Sequence, residues 1–193
     1  EVKLLYNPTM KGAYSIVPGV MGMVLMLICA LMTSVSIARE KELGMMEVIL
    51  VSPMPPILIV LSKVVPYFII SLVNFTNVLI LAVFLLDLPI VGSVVLLYFI
   101  SIIFIFVALS LGLMISSAVD KQLVALLISA MGLMMPVVML SGLMFPIENM
   151  PLILQAFAQI IPAKWYIEAV RNVMIKGLGF SGVLEQLGVL VLM

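Results

Sequence analysis

The sequence predicts an all-α integral membrane protein, a polytopic helical bundle whose longer helices cross a lipid bilayer. Of its 193 residues, 65% are hydrophobic and 9% are charged, whereas a soluble domain has roughly 45–50% apolar and about 25% charged residues. Nine positive and nine negative side chains are too few to cover the surface of a water-soluble fold. Uncharged runs of the length that a helix needs to cross the hydrocarbon core, about 20 residues, recur along the chain.

The predicted spans are the apolar runs. They cover residues 20–38, 64–86, 94–119 and 123–145, and a fifth run, 183–193, begins near Val183 and is cut off where the sequence stops at Met193. Short polar connections at 87–93 and 120–122 separate the middle spans, because loops are where charge and Gly/Pro can be solvated. Since the chain starts with Glu1 rather than methionine, we expect it to be a fragment of a longer protein.

The connection between the first two spans is longer and more charged. Counting Lys and Arg gives three from Arg39 to Lys63, one in the turn at residues 120–122, and none in the loop at residues 87–93. The positive-inside bias of short loops therefore places residues 39–63 in the cytoplasm. We interpret Lys63 as an anchor that reaches the lipid headgroups.

The segment 146–182 is too polar to span the bilayer and too apolar to be a free loop. We expect two helices in the outer interface, over 152–161 and 163–176, with Trp165 and Tyr166 at headgroup depth, where aromatic residues are enriched. Gly177 is expected to cap the second helix.

The polar stretch REKELGMMEVILVSP, residues 39–53, is the most distinctive candidate site. On a helix it carries one apolar stripe, while Glu40, Lys41 and Glu47 point elsewhere. The stripe contains Leu43, Met46, Ile49 and Leu50. Two interpretations remain: an amphipathic helix on the lipid surface, or a docking helix for a soluble partner. Gly44 within it indicates a bend or a close backbone approach.

Composition also excludes several functions. Zero net charge gives no basic field for phosphates, so we expect the lipid bilayer and no nucleic acid as a partner. The chain has no histidine and a single cysteine, Cys29, so it cannot assemble a disulfide or a His/Cys metal site alone. A Walker-type phosphate loop is missing as well. We therefore expect no catalytic, cofactor-binding or metal-binding residue.

Small residues on the first and third spans favour close helix packing. We expect them to bring together two copies, or this chain and a close paralogue, around one pathway. The residues are Gly19, Gly22, Ala30, Ser110, Gly112, Ser116 and Ser117.

Five sequence blocks in order resemble the permease subunit of type-2 (ABC-2) ABC transporters, in the bacterial multidrug-exporter branch. The likeness extends over essentially the whole chain. The blocks are REKELGMMEVILVSP at 39–53, SKVVPY at 62–67, LPIVGS at 88–93, LSGLMFPIENMP at 140–151 and VRNVMIKGLG at 170–179.

This resemblance implies a specific organisation. Residues 1–18 would end an extracytoplasmic region, and residues 19–193 would form the transmembrane domain, with spans two to six of a six-span permease in the bacterial inner membrane. Residues 39–53 would be the coupling helix that docks into an ABC ATP-binding subunit, and 146–182 external re-entrant helices. The residues of the coupling helix that contact the ATP-binding subunit would be Arg39, Glu40, Glu42, Leu43, Met46, Glu47 and Leu50.

The resemblance also implies that ATP and Mg are bound by the partner ATPase and not by this chain. Many members of the family have threonine where Met45 stands, which affects one polar contact. The alternative function is an ATP-independent secondary transporter or channel, and a third is a scaffold without transport. Ion-coupled carriers usually keep a charged residue near mid-bilayer, and the four complete predicted spans lack one.

Overall fold

A computed structural model of the chain describes residues 13–45, 55–84, 90–141 and 151–193. These residues form seven α-helices and one short 3-10 turn, and no strand occurs among them, which confirms the all-α prediction. The helices are α1 Ala13–Glu42, α2 Pro56–Phe84, α3 Val94–Ala118, α4 Gln122–Leu140, α5 Leu152–Gln159, α6 Pro162–Met174 and α7 Leu184–Leu192, with the turn at Phe180–Gly182.

Four helices in the described part of the chain are long and apolar enough to cross a membrane. They are Ile16–Glu42, Ile57–Phe84, Val94–Ala118 and Gln122–Leu140, and each contains most of one predicted span. The fifth predicted span, 183–193, coincides with α7, which has nine residues. The ends predicted at 86 and 145 lie outside the described residues. The chain is a multi-pass membrane protein.

Helix α1 continues beyond the predicted end of its span at Ala38. Its 30 residues correspond to about 45 Å at the rise of an α-helix, more than the roughly 30 Å hydrocarbon core. Residues 39–42 form the last turn of α1 and do not start a separate helix. Arg, Glu and Lys are good helix formers, so the charged residues continue the helix beyond the apolar span. Residues 46–53 of the predicted coupling helix lie outside the described residues.

Helix α1 also occupies the centre of the bundle, where it packs against α2, α3, α4 and α6. A Cβ on Gly112 of α3 would lie 2.8 Å from the carbonyl oxygen of Ala30, and one on Gly22 would lie 2.8 Å from the Ile167 side chain of α6. These small residues thus allow close packing inside one chain, and they give no evidence for a second copy.

Polar side chains join neighbouring helices inside the apolar bundle: two pairs involve the central helix α1, and one joins α2 to α3. Such hydrogen bonds help transmembrane helices to associate, because lipid offers no other partner. The pairs are Cys29 Sγ to Ser71 Oγ at 3.0 Å, the Ser34 and Ser129 hydroxyls at 2.6 Å, and the Thr76 and Tyr98 hydroxyls at 3.0 Å. Helices α2 and α4, by contrast, present many exposed apolar side chains, as expected of lipid-facing surfaces.

The two ends of the bundle differ. We call the end formed by Arg39–Glu42, Lys63 and residues 116–122 the charged end. The opposite end, formed by α6 and residues 90–92, is called the capped end. The predicted helices 152–161 and 163–176 are observed there as α5 and α6, and Gly177, with φ of 63°, caps the end of α6 as predicted.

Tyr166 at the capped end is a core residue. It is fully buried, its ring stacks on Phe104 with centroids 4.1 Å apart, and its hydroxyl lies 2.9 Å from that of Ser101. The expectation that Tyr166 belongs to an aromatic belt is wrong, because α3 and α1 enclose the ring. Its neighbour Trp165 is partly exposed, and its indole N–H donates to the carbonyl of Gln159 at 3.0 Å.

Candidate functional site

The candidate functional site is the charged end, where the last turn of α1 meets the start of α2, the end of α3 and the start of α4. Four consecutive charged residues, Arg39–Glu42, form that turn. Three of them had been predicted as partner contacts. The structure shows where each of the four points.

Helix α1 ends in a turn at Gly44. The Leu43 N–H donates to the Arg39 carbonyl at 3.0 Å, and the Gly44 N–H donates to the Lys41 carbonyl at 3.0 Å. Gly44 has φ of 70°, a left-handed conformation that glycine adopts at helix C-termini without steric cost. No described atom lies within 4 Å of the position that a Cβ would take. Of the two roles predicted for Gly44, the structure supports the bend.

Glu40 joins α1 to α2. Its Oε1 lies 2.5 Å from Nζ of Lys63, and the two side chains are 16% and 29% exposed. Because both groups are largely withdrawn from solvent, the pair is screened less than an ion pair on an open surface. Lys63, predicted as a headgroup anchor, is thus a partner of α1.

Lys41 joins α1 to the end of α3. Its ammonium donates to the Ser116 carbonyl at 2.6 Å, the Val119 carbonyl at 3.3 Å and the Ser117 carbonyl at 3.4 Å. The last carbonyls of a helix have no partner within the helix and carry the negative end of its dipole, so a cation is stabilised there. Asp120 is also close, at 3.8 Å, but its side chain is 93% exposed.

Glu42 joins α1 to the start of α4. Its Oε2 accepts a hydrogen bond from the backbone N–H of Gln122 at 2.9 Å. Gln122 is the first residue of α4, and the preceding residue, Lys121, makes no side-chain cap hydrogen bond. The carboxylate of Glu42 therefore satisfies one of the free N–H groups at the helix start, where negative charge is favoured.

Three further residues, at or just beyond the end of α1, face outward. Arg39 is exposed, and just beyond the helix Leu43 and Met45 are 60% and 44% exposed. The other predicted contacts, Met46, Glu47 and Leu50, lie outside the described residues.

The structure thus divides the predicted site. Glu40 and Glu42, predicted as partner contacts, bind neighbouring helices of the same chain, while Arg39 and Leu43 remain available. The sequence prediction missed the roles of Lys41 and Lys63. The signal that could have indicated them is their position at helix ends, where unpaired carbonyls and opposite charges collect.

At the capped end, backbone groups and close packing join residues 90–92 to α6. The Val91 N–H donates to the Met174 carbonyl at 3.1 Å, and a Cβ on Gly92 would overlap the carbonyl oxygen of Val173. Burial lowers the pKa of the Arg171 guanidinium from its ordinary value, and the nearby carboxylate of Glu168 opposes that shift. Burial likewise raises the pKa of the Tyr166 hydroxyl well above its usual range.

Comparison with known proteins gives a consistent result. A family model described as "ABC-2 family transporter protein" matches residues 1–193. No solved structure matches the chain.

Several curated proteins are similar over most of this chain. "Probable multidrug ABC transporter permease YbhS" of Escherichia coli K12 is 30% identical over 177 residues, which are 92% of this chain and 47% of the relative. "Probable multidrug ABC transporter permease YbhR" of the same strain is 33% identical over 175 residues, 91% of this chain and 47% of the relative. "ABC transporter G family member 20" of Dictyostelium discoideum is 28% identical over 90% of this chain and 24% of the relative. The chain spans about half the length of the bacterial relatives.

Proposed function

The chain belongs to the ABC-2 family of transporter proteins, and from this premise we propose that it is the membrane subunit of an ATP-driven exporter. It supplies the pathway through the bacterial inner membrane, and a separate ABC ATP-binding subunit holds ATP and Mg. Two copies, or this chain and a paralogue, line one pathway. The names of the Escherichia coli relatives, multidrug permeases, support small-molecule export.

One observation carries the proposed coupling to an ATPase. Helix α1 runs unbroken from the core of the bundle to the charged end and then turns at Gly44, leaving Leu43 and Met45 exposed. Exposed apolar side chains beside charges are typical of a surface that a partner covers. We propose that the segment 39–53 docks into the ATP-binding subunit through Arg39, Leu43, Met46, Glu47 and Leu50.

The proposed mechanism is mechanical. ATP binding draws two ATPase subunits together, their closure pushes on the segment that follows Gly44, and the push moves α1 inside the bundle. The spans then rearrange and release the substrate outward or into the outer leaflet. No covalent chemistry is required of this chain.

The mechanism requires the charged end to face the cytoplasm. The excess of Lys and Arg between residues 39 and 63 supports this orientation. Single cysteines at Ser52 and Asn149, in a Cys29→Ala background, test it with a membrane-impermeant thiol reagent. We expect labelling from opposite sides of the membrane, and labelling from one side would overturn the orientation.

The docking segment is tested with the full-length transporter and its ATPase partner in proteoliposomes. Burying a leucine side chain contributes roughly 1.5–3 kcal/mol, so Leu43→Asp and Leu50→Asp should release the ATPase subunit or abolish substrate-stimulated ATP hydrolysis. Ile160→Asp is the matched control, since Ile160 lies at the end of α5 and is 70% exposed, against 60% for Leu43. The control should export normally.

Two outcomes would contradict the proposal in different ways. Export at the wild-type rate by both Leu43→Asp and Leu50→Asp would identify the segment as a helix on the lipid surface. Export without any ATPase subunit or ATP would identify the protein as a secondary transporter or channel.

A further inference from the structure

Three consecutive residues at the end of α1 bind three different helices. Glu40 contacts Lys63 of α2, Lys41 contacts the last carbonyls of α3, and Glu42 contacts the first N–H of α4. Successive residues of an α-helix project about 100° apart. The three side chains therefore spread over about 200° of the circumference of α1.

Each contact also lies at or near the end of the neighbouring helix. Lys63 is about two turns from the start of α2, Ser116 is in the last turn of α3, and Gln122 begins α4. The turn that joins α3 to α4 is held from both sides, by Lys41 on its first half and Glu42 on its second. A displacement of the end of α1 thus acts on three helices at once.

We propose that Glu40, Lys41 and Glu42 form a clasp that makes the charged ends of α2, α3 and α4 move together with α1. The clasp residues are positioning residues: they distribute the movement received after Gly44 and do not touch the ATPase. This inference rests on the proposed function, because it requires a push on the segment that follows α1.

The chemistry of the contacts suits this role. An ammonium has three donors, and Lys41 has three carbonyl oxygens within 3.4 Å. Contacts of this kind depend on direction and charge, whereas most of the buried side chains in the interior of the bundle are apolar. The clasp can therefore be broken by substitution while the bundle stays folded.

The Glu40 and Lys63 pair allows a test by charge reversal and charge exchange. Lys63→Glu places two carboxylates together, and the double variant Glu40→Lys with Lys63→Glu restores an opposite pair with the order inverted. Lys176→Glu is the matched control, because it makes the same change of charge on an exposed lysine at the capped end, away from the clasp. The readouts, in proteoliposomes with the ATPase subunits, are ATP hydrolysis, export and the amount of ATPase subunit bound.

We expect Lys63→Glu to keep the ATPase subunit bound but to lower export per ATP hydrolysed by about fivefold or more, the lower end of ordinary coupling between sites. The double variant should recover export per ATP, and Lys176→Glu should leave export per ATP unchanged. Loss of the ATPase subunit in Lys63→Glu would make Glu40 a docking contact and overturn the clasp while leaving the proposed function in place. Wild-type export by Lys63→Glu would overturn it as well.

A reversible cross-link provides a second, independent test. Cysteines at Glu40 and Lys63, in a background without other reactive thiols, remove both charges and should uncouple export from hydrolysis. A reducible bifunctional thiol reagent that joins them should restore coupling, and cleavage by a reductant should remove it again, because the two helix ends move as one unit. If the cross-link instead stops export, the charged ends of α1 and α2 must separate during the transport cycle, and the proposed clasp is overturned. Export without ATP by every variant would reject the proposed function itself.

Discussion

The two ends of the bundle are held by different forces. At the capped end, α6 is largely buried and contacts α1 and α3 through apolar side chains, with Tyr166 stacked on Phe104. At the charged end, α1 reaches its neighbours through Glu40, Lys41 and Glu42, which are only partly buried or exposed. Close packing tolerates little change of volume, whereas exposed charge contacts contribute little to stability.

This difference separates stability from transmission. A substitution at the capped end should unfold the protein before it changes coupling, and a substitution at the charged end should change coupling with little effect on folding. The buried thiol of Cys29 provides a common measurement of stability, since its reaction with a thiol dye in increasing denaturant reports unfolding of the bundle.

The largest effect is expected for Tyr166→Ala at the capped end. Removing a fully buried aromatic ring leaves a cavity beside Phe104 and should lower the free energy of unfolding by about 3–5 kcal/mol. Tyr166→Phe keeps the ring and loses only the contact with the Ser101 hydroxyl, at roughly 0.5–1.5 kcal/mol. Denaturant titration with the Cys29 dye measures both. If Tyr166→Ala is no less stable than Tyr166→Phe, the ring is not part of the core.

A smaller loss is expected for Gly92→Ala at the same end. The added methyl group would overlap the backbone carbonyl of Val173, and such overpacking costs about 1–3 kcal/mol. Gly179→Ala is the matched control, because no described atom lies within 4 Å of its Cβ position and its φ is −76°. The same dye titration should separate the two variants. Equal stabilities would show that the loop at residues 90–92 is not packed against α6.

These predictions depend on contacts that the sequence indicates only in part. The apolar runs predicted α1 to α4 because an uncharged stretch of about 20 residues has few alternatives to a transmembrane helix. Whether a single side chain faces the surface or the core was harder to predict. Trp165 and Tyr166 are adjacent and project about 100° apart on a helix, so one lies at the surface and the other in the core. Composition cannot distinguish them.

The clasp could not be predicted for a related reason. Its hydrogen bonds join residues 23 positions apart for Glu40 with Lys63 and 80 positions apart for Glu42 with Gln122. Which helices are neighbours at the charged end is decided by packing in the interior, for example where Gly112 lets α3 approach Ala30 of α1. The charge pattern of residues 39–42 is compatible with an outward-facing site as well as with an internal one.

At the charged end, Glu42→Ala should have a modest effect. Loss of a helix cap costs about 0.5–1 kcal/mol at an exposed position, and the start of α4 should fray. Glu42→Gln keeps an acceptor oxygen without the charge and should lose about half as much. Hydrogen exchange at the Gln122 amide is the direct measurement, and it should accelerate in the alanine variant. An unchanged exchange rate would show that Glu42 does not cap α4.

The smallest effect is expected for Asp120→Asn. This variant tests whether Lys41 is held by the Asp120 carboxylate or by the carbonyls at the end of α3. Asp120 lies 3.8 Å from the ammonium and is 93% exposed, so water and salt screen the pair. Its removal should change the free energy of unfolding by less than about 0.5 kcal/mol. Lys41→Met also removes the contacts with the carbonyls at the end of α3 and should cost about 1 kcal/mol, since a partly exposed charged donor contributes less than a buried one. If the Asp120→Asn variant loses as much stability as Lys41→Met, the ion pair holds Lys41 and the helix end does not. Added salt would then weaken the charged end as much as the substitution does, whereas the contacts with the carbonyls of α3 should be weakened less, because the Lys41 side chain is only 21% exposed.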